Sequence, residues 1–297
     1  MRALALAAAG SLLWGCPDGL ERQSQISKLR VLAVRAEPPE LLLEPGTGLP
    51  RTLLTALAVE PSGAPISMRY ALCAGSAPAP SAQLDCPGDA GIDLPAAGPR
   101  STTLDLADPR LLAFAARFGD GSLDAGGLLA AGVPLLVGFT ATAPAFGNPD
   151  GGPPAQDGSL QVLRGFTTVT LRTGAPADVN PALSGLQIAE ELDGGRLGPA
   201  LDAPEDVPLR LRTGETVRLI PVPALRDDPS KRYGYSFFTT RGSTSALRST
   251  DTTANGQPAD ISIEWTAPPA PEVVRIWVVV RDGRGGTGWI ERSVAVR

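Results

Sequence analysis

The sequence predicts an all-β protein built as two β-sandwich domains, the first carrying a loop-rich insertion with one short helix. Three observations lead there. Short apolar runs alternate with period two, most plainly where Ile66, Met68, Tyr70 and Leu72 point one way and Ser67 and Arg69 the other. Glycine, proline and aspartate punctuate these runs at short intervals, and helical periodicity is almost absent. With residues 1–15 set aside, about 280 residues remain, enough for two domains that each bury a core.

Residues 1–15 read as an export leader. Arg2 gives the basic start, residues 3–14 the apolar stretch and Gly15 the small residue at the cut. At about 1.5 Å of rise per residue, so short a helix falls well below the roughly 30 Å of a hydrocarbon core and is expected to be cleaved. Cys16 follows Leu13-Trp14-Gly15, the pattern of a bacterial lipoprotein signal, in which the thiol is alkylated by a diacylglyceryl group. Trp14 is bulkier than usual at its position. Two or three acyl chains hold a protein stably where one binds only marginally. Cysteine parity agrees: of three cysteines, taking Cys16 for lipid leaves Cys73 and Cys86 free to form a disulfide. The other use of that pair, a metal site, has no histidine and no second cysteine pair to complete it.

Residues 16–27 form the lipidated tether and residues 28–173 the first domain, with strands expected at 29–36, 52–59, 66–72, 134–143 and 161–172. Pro38-Pro39, Pro61-Ser62-Gly63 and residues 144–158 read as turns and loops. Between Cys73 and Gly132 the strand pattern stops, and the insertion spans about 74–132. One helix is expected inside it. Asp108 caps, Pro109 suits the first helical position, Leu111, Ala115 and Phe118 share a face, and Gly119 ends it. The disulfide at the start of the insertion pins a segment with little apolar content.

Residues 174–297 form the second domain, with strands expected at 184–189, 207–212, 216–222, 233–239, 261–266, 273–281 and 289–296. The run Val273-Val274-Arg275-Ile276-Trp277-Val278-Val279-Val280 is apolar on nearly both faces, as a central strand requires. Asp282-Gly283-Arg284-Gly285-Gly286 turns it into the last strand as a hairpin. Both halves open with a strand, carry aromatics in a middle strand (Tyr70; Tyr233, Tyr235 and Phe237) and close on a hydrophobic hairpin. They match in architecture and not in residues, so a diverged repeat and independent origins both remain open.

Val278-Val279-Val280-Arg281-Asp282-Gly283-Arg284-Gly285-Gly286 with the strand after it resembles the closing strands of bacterial immunoglobulin-like domains, polycystic-kidney-disease-like ones included. Taken with Leu13-Trp14-Gly15-Cys16 and Lys28-Leu29-Arg30-Val31-Leu32-Ala33-Val34-Arg35-Ala36-Glu37-Pro38-Pro39, the whole chain is similar to cell-envelope lipoproteins of myxobacteria and their relatives. The resemblance implies immunoglobulin-like sandwiches displayed at the surface or in the periplasm, and it brings no catalytic residues. The long insertion after Cys73 departs from a minimal sandwich.

Composition narrows the chemistry. With no histidine, His-based triads, His general bases and most zinc or iron sites are excluded. Gly-x-Ser-x-Gly, Ser-x-x-Lys and Gly-x-x-x-x-Gly-Lys patterns are absent. A carboxylate pair is what a hydrolase would have left, from Glu190, Glu191 and Asp193, from Glu205 and Asp206, or from Asp227 and Asp228. All sit in turn-like segments and read as solvated charge. Asp120-Gly121-Ser122-Leu123-Asp124 resembles part of a calcium loop but lacks its alternating acids and terminal Glu, so no metal or other cofactor is expected. Net charge is −5 with no basic cluster, which excludes a nucleic-acid partner. Trp265, Trp277, Trp289, Tyr233 and Tyr235 belong to the second domain, either as a glycan-stacking surface or as core. The strand holding Trp277 favours core.

The expectation is a non-enzymatic envelope lipoprotein, held in a bacterial membrane through Cys16, with the outer membrane favoured over the inner, and facing periplasm or exterior. Its domains serve as spacer, adhesive or structural modules. The competing reading is a carbohydrate- or protein-binding component of a secretion or uptake assembly, with an envelope protein or glycan as partner.

Overall fold

The computed structural model describes residues 23–73, 86, 91–116, 129–145, 159–174, 178–192, 196–224 and 230–297, with the backbone alone for 114–116. Cys16, the leader, Phe118, Gly119 and the segment 120–124 lie outside these residues, as do Asp193, Asp227 and Asp228.

The first half contains β1 (Arg30–Glu37), β2 (Glu40–Leu43), β3 (Arg51–Val59), β4 (Ser67–Cys73), β5 (Gly91–Asp93), β6 (Ala96–Gly98), β7 (Ser101–Asp105), α1 (Pro109–Ala116), β8 (Val133–Pro144) and β9 (Leu160–Thr173). The second contains β10 (Leu183–Leu192), β11 (Arg196–Leu197), β12 (Leu201–Asp202), β13 (Leu209–Leu211), β14 (Thr216–Pro223), β15 (Gly234–Thr239), β16 (Ser243–Thr244), β17 (Arg248–Thr250), β18 (Ile263–Thr266), β19 (Glu272–Arg281) and β20 (Thr287–Val296). Among the described residues no helix is long and apolar enough to cross a membrane.

Each half is an immunoglobulin-like sandwich, and the two share a topology. Sheet β1-β3-β7-β6 faces β2-β9-β8-β4-β5 in the first, and sheet β11-β10-β14-β18-β16, with β12 also on β10, faces β13-β20-β19-β15-β17 in the second. The opening strand of each half lies antiparallel in one sheet, β1 on β3 and β10 on β14. A following strand crosses to the other sheet and lies parallel to the last one, β2 on β9 and β13 on β20. In the first half the crossing falls at the cis peptide Glu37-Pro38.

Inward positions follow the period-two pattern. Met68, Tyr70 and Leu72 of β4 meet Leu54, Ala56 and Ala58 of β3 in one core, with Leu104 of β7 and Val137 of β8. The Tyr70 hydroxyl donates to Arg100 O at 2.8 Å. In the second core Tyr235, Phe237, Ile276 and Val278 meet Leu186, Leu219 and Trp265.

Eight short strands lie outside the expected ones, β11, β12, β16 and β17 in the second half and β2, β5, β6 and β7 in the first. The insertion is not strandless: β5, β6 and β7 lie within it, and β7 pairs directly with β3. Only Thr102 and Leu104 of β7 point inward, too short an alternation to register as a period. β2 stands behind Pro38-Pro39, where the sequence reads as turn. The helix forms where expected, with Leu111 buried and the Asp108 carboxylate accepting from Arg110 N at 2.9 Å.

A third apolar layer joins the sandwiches. Leu32 and Ala33 of β1 and Leu57 and Val59 of β3, on the face turned away from the first core, pack against Trp277 and Val279 of β19, with Phe238 and Trp289 at the margin. Four sheets therefore stack with three apolar layers between them. Residues 23–26, in the segment read as tether, are packed at this seam: Ile26 is buried, its N–H donates to Thr239 O at 2.7 Å, and Ser24 O accepts from Thr239 N at 2.8 Å.

Candidate functional site

Four of the five aromatic residues nominated as a glycan surface are core. Trp265, Trp277 and Tyr235 are 0% exposed and Tyr233 is buried. Trp289 is half-buried, with the Arg35 guanidinium 4.8 Å from its ring centroid. Of the acids nominated for catalysis, the four among the described residues, Glu190, Glu191, Glu205 and Asp206, are all exposed. Cys73 and Cys86 are bonded, their Cα atoms 5.2 Å apart. The disulfide lies on the outer face of β4, its sulfurs beside Gly138 of β8 together with the Phe166 ring. It ties Cys86, between the paired strands β4 and β5, to the end of β4, and joins no two sheets.

Two places among the described residues concentrate polar chemistry. One is an open groove of about 590 Å³ at the end of the second sandwich, walled by Gln25, Arg241, Ser243, Thr266 and the Pro268-Pro269 stretch. A smaller hollow of about 160 Å³ between Ser27, Pro61, Thr240 and Arg275 shares Arg241 and Glu272 with it. Arg241 Nε stands 3.7 Å from Glu272 Oε2. Gly242 makes the turn possible. Its φ is +83°, and a Cβ there would stand 2.5 Å from both Thr266 O and Trp265 Nε1. The groove offers hydroxyls, proline edges and one paired arginine. It brings no nucleophile up to a base.

The other place is the junction between the sandwiches, where charges are buried. Glu40 of β2 receives Arg172 of β9 at 2.7 Å, and the same Glu40 Oε2 accepts from Asp178 N at 2.9 Å. The Asp178 carboxylate in turn accepts from Lys231 Nζ, and Lys231 Nζ stands 3.8 Å from Asp282 Oδ2. Side-chain exposures are 2% for Lys231, 7% for Asp178 and 0% for Asp282. Asp282 Oδ1 is held by Arg284 N and Gly286 N, both at 2.9 Å, so the turn aims Oδ2 at the other two groups. Burial first, and then the Asp178 carboxylate, push the Asp282 carboxyl above the ordinary carboxylate range. The Arg284 N–H and the Lys231 charge work against that rise.

Backbone contacts fix this junction. Asn180 Nδ2 donates to Ala36 O at 2.7 Å and to Glu37 Oε2 at 2.9 Å, while its Oδ1 accepts from Thr287 N at 2.8 Å. Pro181 O lies so near Gly288 that a Cβ there would come within 2.0 Å of it. The sequence reading missed every member of this cluster, treating Asp282 as a turn former. One signal was available: Lys231 is one of only two lysines in an arginine-rich chain.

Among the described residues no group of three or more His, Cys, Asp or Glu is placed to hold a metal ion. The buried Asp178, Lys231 and Asp282 side chains are closed to solvent. The fold is that of two immunoglobulin-like β-sandwiches in tandem.

No family model matches the sequence, and comparison with curated proteins finds no match. Among solved structures the chain is similar to the D0-D1 domain of intimin at 14% identity, over 89% of this chain and 98% of that one, with a TM-score of 0.21. It is also similar to the chicken CNTN1 FN1-FN3 domains at 10% identity, over 91% and 65%, with a TM-score of 0.20. A third is SGBP-B of the Bacteroides ovatus mixed-linkage glucan utilization locus, in complex with a mixed-linkage heptasaccharide, at 11% identity over 91% and 47%, with a TM-score of 0.17. Superpositions this loose add nothing to what the strand order itself defines.

Proposed function

We propose that this protein is a non-enzymatic, lipid-anchored envelope protein whose two sandwiches work as one stiff structural or adhesive unit. The observation that carries this reading is the seam. A flexible spacer needs domains that swing on a polar linker, whereas here the first sandwich packs its outer face on Trp277 and Val279 of the second. The chain enters at that seam, through Ser24 and Ile26 on Thr239. With Cys16 as the lipidated residue, seven residues lie between it and Ser24, a path of eight Cα-to-Cα steps. Fully extended they reach roughly 28 Å, so the seam is held close to the bilayer. The membrane is bacterial, the outer one favoured, with the protein facing periplasm or exterior.

Changing Cys16→Ala tests the anchor. Fractionation is expected to move the protein from the membrane to the soluble fraction, and retention in the membrane would overturn the assignment. A second reading, capture of an envelope protein or glycan, is favoured by the groove at Arg241 and Ser243. A binding screen with the soluble chain separates the two. A purely structural unit gives no saturable ligand, and a binder gives one that Arg241→Ala weakens.

A further inference from the structure

We propose that Lys231 and Asp178 are joined in the mature protein by an intramolecular isopeptide bond, which covalently fastens the segment between the sandwiches to the second sandwich, and that Asp282 moves the protons for its formation. Three observations meet at this point. The amine and the acceptor carboxyl are in direct contact. All three side chains are sealed from solvent. Asp178 Oδ2 and Asp282 Oδ2 are both buried and accept no hydrogen bond, Lys231 Nζ standing 3.8 Å from the latter.

An ordinary ion pair accounts poorly for that arrangement. Two ionised carboxylates against one ammonium leave a net buried negative charge and two oxygens unsatisfied, which burial penalises heavily. A proton on Asp282 removes both faults, and the upward shift of that carboxyl favours it. A protonated Asp282 beside the Asp178 carboxyl is also the arrangement that promotes acyl transfer, because a hydrogen bond from Oδ2 draws electrons from Asp178 Cγ.

In so dry a site, transfer of one proton turns the ammonium and carboxylate of Lys231 and Asp178 into amine and carboxylic acid. The Nζ lone pair then attacks Asp178 Cγ. The Nζ–Cγ bond forms, one Cγ–O bond breaks, and the departing oxygen leaves as water carrying two of the three ammonium protons. Asp282 gives a proton to that oxygen, takes one from Nζ and ends unchanged. No oxidant or co-reactant is needed. The product replaces a buried ammonium and a buried carboxylate with a neutral amide, lifting their desolvation cost. Positioning is supplied in advance: Glu40 holds Asp178 N, Asn180 is bonded to both halves, and Pro181 rests on Gly288.

Tryptic mapping of the full-length chain, denatured after purification, tests this. The linked protein yields a branched peptide joining 173–196 to 227–232, lighter than its two parts by one water, with no cleavage after Lys231. A free peptide ending at Lys231 and an unmodified 173–196, with no branched species, overturn the proposal. Water loss confined to 173–196 with Lys231 still cleaved also overturns it, because the Asp193-Gly194 step can cyclise by itself. In Asp282→Asn, kept folded as judged by circular dichroism, the branched peptide is expected to disappear. Its persistence at wild-type yield would remove Asp282 from the role. The wild-type map decides the bond even where that variant does not fold.

Discussion

Trp277 shows what one side chain does when both faces of its strand are covered. The even-numbered residues of β19, Val274, Ile276, Val278 and Val280, fill the second sandwich, and Trp277 points the opposite way into the seam. At 0% exposure, truncation to alanine in Trp277→Ala is expected to cost about 3–5 kcal/mol. The denaturant midpoint is the measurement, and a change below about 1 kcal/mol would mean the seam closes over the gap. Asp282 makes a different demand. Its folded carboxyl is raised above the unfolded value of about 3.9, chiefly by burial, a cause that persists once Lys231 and Asp178 are joined. A raised acid contributes its stability fully below the unfolded value and loses it as pH climbs through the folded one. The stability difference between wild type and Asp282→Asn should therefore shrink as pH rises from 4 toward 8. A difference that grows over that range would reverse the assignment.

At the scale of elements, β1 is the informative strand. Its pairing with β3 skips Leu32, so two successive residues, Leu32 and Ala33, fall on the outer face and supply the apolar surface of the seam. At the bulge, Arg281 Nη2 crosses from the second sandwich to donate to Leu32 O at 2.7 Å. Arg275 Nη2 does the same for Glu60 O and Pro61 O, each at 3.3 Å. This explains what was legible in the sequence. Alternation in 66–72 and the double-sided apolar run of 273–281 identify strands correctly, because burial alone sets those patterns. They cannot say that the second face of β19 is covered by another sandwich, since a central strand and a docked strand bury the same residues. Nor can they sort acids. Glu205 in a turn is exposed and Asp282 in a turn is sealed, a difference made by Pro181 and Lys231 arriving from elsewhere in the chain. The disulfide is the element-level device read most directly, from cysteine parity. It closes a separation of 13 residues and is expected to contribute about 3 kcal/mol in the chain-entropy model. Replacing both partners, Cys73→Ser with Cys86→Ser, should lower the unfolding midpoint accordingly. An unchanged midpoint would mean that packing of Phe166 on Gly138 holds this end of the sheet unaided.

At the scale of the molecule, the seam decides whether two domains behave as one. Each sandwich has a core of its own, and the apolar layer between them is smaller than either but continuous with bonded groups at Arg275, Arg281 and Asn180. If that layer couples the halves, neither unfolds while the other stays native, because the survivor would expose Trp277, Val279 and Phe238 or Leu32 and Leu57 to water. Wild-type protein should then unfold in a single denaturant transition, coincident by tryptophan fluorescence and by far-ultraviolet dichroism. Fluorescence reports on the second sandwich and the seam, where Trp265, Trp277 and Trp289 all lie, whereas dichroism reports on both halves. Leu57→Asp places an unpaired carboxylate in the seam and leaves both sandwich cores untouched, since Leu57 points away from the first core. The two signals should separate in that variant, and its radius of gyration by small-angle scattering should rise as the halves come apart. Two resolved transitions already present in the wild type would show the sandwiches to be independent modules, and the stiff-unit reading would give way to a jointed one.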